Sequence, residues 1–85
     1  MSLRIVLAED ATLMRAGLVS LLEGLGHTVV AAVGDGDSMM AAAREHRPDL
    51  VITDVRMPPS FTDEGLRAAV TLRASDSSAA VLVLS

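Results

Sequence analysis

The chain has 85 residues, half of them apolar, with a net charge of −4, no cysteine and a single aromatic residue, Phe61. That length allows one small domain whose core must come from Val, Leu, Ile, Ala and Met. Disulfides and thiolate metal sites are excluded, and the seven cationic residues, all arginines, form no run or stripe that would suit direct nucleic-acid binding. No secretory signal is visible and no apolar stretch is long enough to span a bilayer, so a soluble cytoplasmic protein is expected.

The first expected strand, Leu3 to Ala8, is nearly all apolar, as when helices cover both faces of a sheet, and it ends on two acids, Glu9 and Asp10. A helix from Thr12 to about Leu25 follows, with Met14, Leu18, Leu21, Leu22 and Leu25 on one face. Asp10 or Thr12 is a candidate cap for its start, and Gly24 and Gly26 suit its end. Thr28 to Val33 reads as a second strand. Asp35 to Ser38 then supplies caps for a second helix, from about Ser38 to His46, stopped by Pro48. The third strand, Leu50 to Val55, carries a carboxylate, Asp54, inside an apolar run. After the breaker-rich loop Arg56 to Ser60, Asp63 and Glu64 open a third helix reaching about Ala74. A turn at Ser75 to Ser78 leads to a fourth strand, Ala79 to Leu84.

Strands alternating with helices of this length imply parallel βαβ units, and in such sheets a ligand sits outside the carboxyl ends of the strands. Glu9, Asp10, Asp54 and Ser85 all lie at or near such ends. Three carboxylates converging there would make a site for a hard divalent cation, and one of them could serve as a nucleophile toward a phosphoryl group. Plainer readings exist. Asp10 can be a helix cap, Met57-Pro58 a loop exit, and Ser85 the last residue of a strand. Gly34-Asp-Gly36 is a turn, His27 and His46 lie near helix ends without assigned chemistry, and Met14, Met39 and Met40 fall at core spacing. Asp54 is the hardest to explain away, because a carboxylate inside a buried strand is costly unless paired or metal-bound.

Val6-Leu-Ala-Glu-Asp10, Pro48-Asp-Leu-Val-Ile-Thr-Asp54 and Asp54-Val-Arg-Met-Pro58 together resemble the CheY-like receiver domain of two-component response regulators. Arg56-Met-Pro-Pro-Ser-Phe-Thr-Asp-Glu-Gly-Leu66 is similar to the LuxR/NarL-type transcriptional regulators of actinobacteria. The resemblance implies a flavodoxin-like, doubly wound parallel α/β sheet in the order 2-1-3-4, with residues 1–85 being the N-terminal two-thirds of a receiver. The fourth helix, fifth strand, fifth helix and a DNA-binding output domain would then be missing. By the same resemblance Asp54 is the phosphoacceptor. Glu9, Asp10, Asp54 and the Arg56 backbone carbonyl hold Mg²⁺ or Mn²⁺, and Ser85 contacts the phosphoryl group. The lysine that receivers carry at the end of the fifth strand has no counterpart, since the chain contains no lysine.

The expected function is therefore that of a phosphorylation switch served by a sensor histidine kinase, not of an enzyme. A non-phosphorylated dimerisation module is the alternative, and a haloacid-dehalogenase-like phosphohydrolase a lesser one, because that family's nucleophile ends the first strand. An exposed fourth strand, Ala-Ala-Val-Leu-Val-Leu, predicts a homodimer or higher oligomer.

Overall fold

The computed structural model describes residues 2–58, 63–74 and 79–84. Four strands and three helices alternate: β1 (Arg4–Ala8), α1 (Thr12–Gly24), β2 (Thr28–Val33), α2 (Gly36–His46), β3 (Leu50–Asp54), α3 (Glu64–Ala74) and β4 (Ala80–Leu84). The strands form one parallel sheet in the order β2-β1-β3-β4, which is the expected α/β, flavodoxin-like arrangement. The expected turn at Ser75 to Ser78, Phe61 and Ser85 lie outside the described residues.

Successive side chains of a strand point to opposite faces, and β1 distributes its residues accordingly. Val6 and Ala8 join Val51, Met39, Met40, Ala42, Ala43 and Leu72 in a core beneath α2 and α3. Ile5 and Leu7 join Ile52 in a smaller core against Leu18, Val19 and Leu22 of α1. Met57 is fully buried in the first of these cores, so it is a packing residue and not merely a loop exit.

The α1 stripe departs from expectation. No residue of α1 is buried, and Met14, Leu21 and Leu25 are exposed, Met14 by 55%. The covered face is turned toward Val19, and the far shoulder of the apolar stripe meets no described element. Met14 is thus not a core residue, whereas Met39 and Met40 are.

The start of α1 also differs. Its N-cap is Ala11, without a side-chain cap, because Asp10 is drawn into the acidic cluster described below and Thr12 is already helical. Its end follows the glycine rule. Gly26 adopts φ 94°, and His27 and Gly26 return their N–H groups to the carbonyls of Leu22 (3.1 Å) and Glu23 (3.0 Å), a Schellman closure.

Helix α2 starts two residues earlier than expected. Asp35 is its N-cap and accepts from the Ser38 N–H at 2.7 Å and the Ser38 hydroxyl at 2.9 Å. β4 pairs only with β3, and among the described residues its other edge is unpaired, with Leu82 48% exposed.

Candidate acidic site

The register of the central strands builds the site. β1 and β3 run parallel with Ala8 opposite Thr53, so the next residues along, Glu9 and Asp54, are level with one another. Asp10 follows in the β1–α1 connection. One carboxylate oxygen from each of Glu9, Asp10 and Asp54 lies within 4.8 Å of the other two, and all three residues are half-buried. The three acids picked out from the strand ends are therefore brought together in space. Asp54 is the last residue of β3 and not an interior one, so one side of it is open and its desolvation is partial.

Like charges at this range disfavour one another's ionisation. The Glu9 carboxyl is held above its ordinary pKa, first by burial and then by the Asp54 charge and a hydrogen bond to the Asp54 side chain. Asp10 adds a smaller push, while a hydrogen bond from the Ala11 backbone N–H works the other way. An all-oxygen donor set of three carboxylates with this repulsion is suited to a hard divalent cation such as Mg²⁺ or Mn²⁺.

The main chain around Asp54 is closely fitted. The Thr53 hydroxyl donates to the Asp54 carbonyl at 2.9 Å, and Thr53 is fully buried. The next residue, Val55, donates its N–H to the Leu84 carbonyl at 3.0 Å and accepts from the Gly65 N–H at 2.8 Å. Gly65 sits so close that a Cβ there would overlap the Asp54 carbonyl oxygen and lie 2.9 Å from the Thr53 hydroxyl oxygen. Arg56, two residues past Asp54, is exposed, and its side chain takes no part in the cluster. Ser85, expected at the fourth strand's end, lies outside the described residues, although β4 delivers Leu84 to the level of Asp54.

Three participants were not read from the sequence. Gly65 occupies a helical position where glycine is unfavourable, which is itself a sign of close backbone approach. Arg15 interrupts the apolar pattern of α1, and Gly34 closes β2. His27 is structural: its Nδ1 accepts the Leu3 N–H at 3.0 Å.

Comparison with known proteins bears on the family and the fold. The family model described as "Response regulator receiver domain" matches residues 5–85. The chain is 32% identical over 85 residues to the chemotaxis protein CheY of Bacillus subtilis, covering all of this chain and 68% of that protein. It is 44% identical over 55 residues to the transcriptional regulatory protein PdtaR of Mycobacterium tuberculosis, 65% of this chain but only 27% of that one. Among solved structures, the signal receiver domain of the response regulator NarL from Mycobacterium tuberculosis superimposes with a TM-score of 0.87 at 30% identity, over 96% of this chain and 64% of that one. No helix among the described residues is long and apolar enough to cross a membrane.

Proposed function

The chain belongs to the response regulator receiver family, and from that premise we propose that Asp54 is its phosphoacceptor, with Glu9 and Asp10 completing a Mg²⁺ or Mn²⁺ site. The observation that carries this reading is the meeting of the three carboxylates at the ends of neighbouring parallel strands. The backbone carbonyl of Arg56 is proposed as a fourth ligand. Bound there, the cation would offset the charge of the carboxylates and of the phosphoryl oxygens in the transition state.

Asp54 attacks the phosphorus of a phosphohistidine on a sensor kinase, or of a small acyl phosphate. An aspartyl O–P bond forms as the donor's N–P or O–P bond breaks. With phosphohistidine, the leaving imidazole nitrogen recovers a proton from solvent. The open side of Asp54 leaves room for the donor, while the fitted Thr53–Val55 main chain keeps the nucleophile from drifting. The added negative charge would be read at Ser85 and would bias a two-state equilibrium that an output domain senses, in keeping with the transcriptional regulatory role in the name of PdtaR. Receiver domains generally act as signalling modules and not as catalysts, and Asp54 is consumed in each cycle.

In this reading residues 1–85 supply the acidic site and first four strands of a cytoplasmic receiver that does not touch nucleic acid itself. The chain contains no lysine, so the charge-assisted pair that the family's lysine makes with the phosphoryl group, worth roughly 1.5–3 kcal/mol, has no lysine within this chain to form it. A second reading, a dimerisation module, is favoured by one observation: the apolar outer edge of β4 is unpaired among the described residues.

Incubation with acetyl phosphate and Mg²⁺, followed by intact-mass spectrometry, separates these. A Mg²⁺-dependent adduct of one phosphoryl group, lost in Asp54→Asn, is the expected result. Steady turnover of acetyl phosphate would indicate an enzyme instead. No adduct on folded protein would leave the interaction module and refute the phosphoacceptor assignment for this chain.

A further inference from the structure

We propose that Arg15 is a positioning residue for the acidic site. Seated against Gly34, its guanidinium fixes the Glu9–Asp10 main chain so that both carboxylates face Asp54. This inference rests on the reading of those acids as a cation site.

Glu9 is the first residue beyond β1, where the ladder would ordinarily let go. Its N–H still donates to the Val33 carbonyl of β2 at 2.9 Å. Its carbonyl accepts from Arg15 Nη1 at 2.8 Å, a charge-assisted bond made by a half-buried arginine. The peptide units on either side of the Glu9 Cα are thereby tied to different elements, β2 and α1. With both ends held, the direction of the Glu9 side chain and the path into Asp10 are restricted.

The choice of acceptor is informative. Glu9 and Asp10 are acidic neighbours of Arg15, yet among the described residues the guanidinium makes no ion pair with a carboxylate. A guanidinium bound to a carboxylate would occupy the oxygen lone pairs that a divalent cation needs. Bound to a backbone carbonyl, it organises the acids and leaves their oxygens free.

Gly34 makes this possible. It has no left-handed backbone requirement, so its lack of a side chain serves space. A Cβ at Gly34 would lie 3.0 Å from Arg15 Nη1, 3.7 Å from the Asp10 Cα and 3.9 Å from the Glu9 carbonyl oxygen. The guanidinium therefore lies in a slot between the end of β2 and the Glu9–Asp10 backbone. Because α1 has no side-chain cap, the same contact also ties its first turns to the strand they follow.

A Mg²⁺ titration followed by NMR, on the parent chain and on Arg15→Met, Arg15→Lys, Gly34→Ala and the Arg15→Met/Gly34→Ala double variant, tests the proposal. Groups that hold metal ligands in place are worth about 10–100-fold in affinity, and Arg15→Met is expected to weaken Mg²⁺ about tenfold in protein that remains folded. The sign is diagnostic, because removing a cation beside an acidic site would tighten dication binding if charge alone mattered. Arg15→Lys should fall between parent and Arg15→Met. Gly34→Ala, which pushes only on a flexible side-chain end, should weaken binding in the parent and add nothing in the Arg15→Met background. Unchanged or tighter binding by folded Arg15→Met, or additive effects of the two substitutions, would overturn the proposal. If Arg15→Met does not fold, Gly34→Ala retains the arginine and decides by whether Mg²⁺ weakens. Failure of the underlying reading looks different: the parent itself would show no Mg²⁺ response, or Asp54→Asn would leave that response intact.

Discussion

Gly65→Ala sets two physical effects against each other. In a helix interior alanine is favoured over glycine by about 1 kcal/mol, so propensity alone predicts a more stable protein. Gly65 is buried in the first turn of α3, however, and its missing Cβ is where the Asp54 carbonyl oxygen lies. Restoring ordinary contact requires α3 to retreat by about 2 Å, which also stretches the 2.8 Å bond from the Gly65 N–H to the Val55 carbonyl. Overpacking costs about 1–3 kcal/mol and the strained hydrogen bond about 1 kcal/mol more, against a propensity gain of at most about 1 kcal/mol. The net is a destabilisation of about 2 kcal/mol, or about 8–16 °C in Tm for a domain of this size. Thermal unfolding by circular dichroism measures it. Gly17→Ala in α1 is the matched control, since a Cβ there meets nothing within 4 Å and should stabilise by up to about 1 kcal/mol. A Gly65→Ala protein that melts at or above the parent's temperature would refute the argument from close approach.

Other consequences can be checked with the same melts. The folded state binds the Glu9 proton more tightly than the unfolded state does, so the metal-free protein should lose stability as pH rises from the ordinary glutamate range through the raised value. Glu9→Gln should remove that loss and melt higher than the parent at neutral pH in a chelator, while gaining less from added Mg²⁺; superimposable profiles of Tm against pH would contradict this. Asp35→Ala removes the α2 cap and should cost about 1 kcal/mol, or about 4–8 °C in Tm, whereas Asp35→Asn should retain most of it. The outer edge of β4, unpaired among the described residues, should pair with a second chain, giving a mass above one chain by light scattering at high micromolar concentration. Leu82→Lys should reduce that mass, and a parent that is already monomeric would dispose of the idea.

How much of this was legible depended on whether the signal was local. Alternating apolar runs and breakers sufficed for the order of elements, because each run carries its own periodicity. The meeting of Glu9, Asp10 and Asp54 was readable because parallel topology sends the carboxyl ends of strands to one edge, whatever the side-chain details. The cap of α1 was misread because Asp10 had two possible uses, and the cluster with Asp54 took it. The buried stripe of α1 was misread because periodicity gives the apolar arc but not which part of it meets the sheet. Arg15, Gly34 and Gly65 act through contacts with residues distant in sequence or through main-chain atoms, for which residue type alone carries little signal.

The unequal covering of the two sheet faces bears on how the molecule opens. α2 and α3 share the larger core, whereas α1 contributes only half-buried side chains to the smaller one. Excursions from the native state should therefore release α1 first, its amides exchanging with solvent well before those of β1 and β3. Glu9 and Asp10 stand in the three residues that join β1 to α1, so an ion gripping them holds the hinge of that excursion. Ligation there would reach the whole length of α1 as slower amide exchange, by the ordinary linkage between binding and opening. The least secured helix would thus register, several turns away, whether the acidic site is filled.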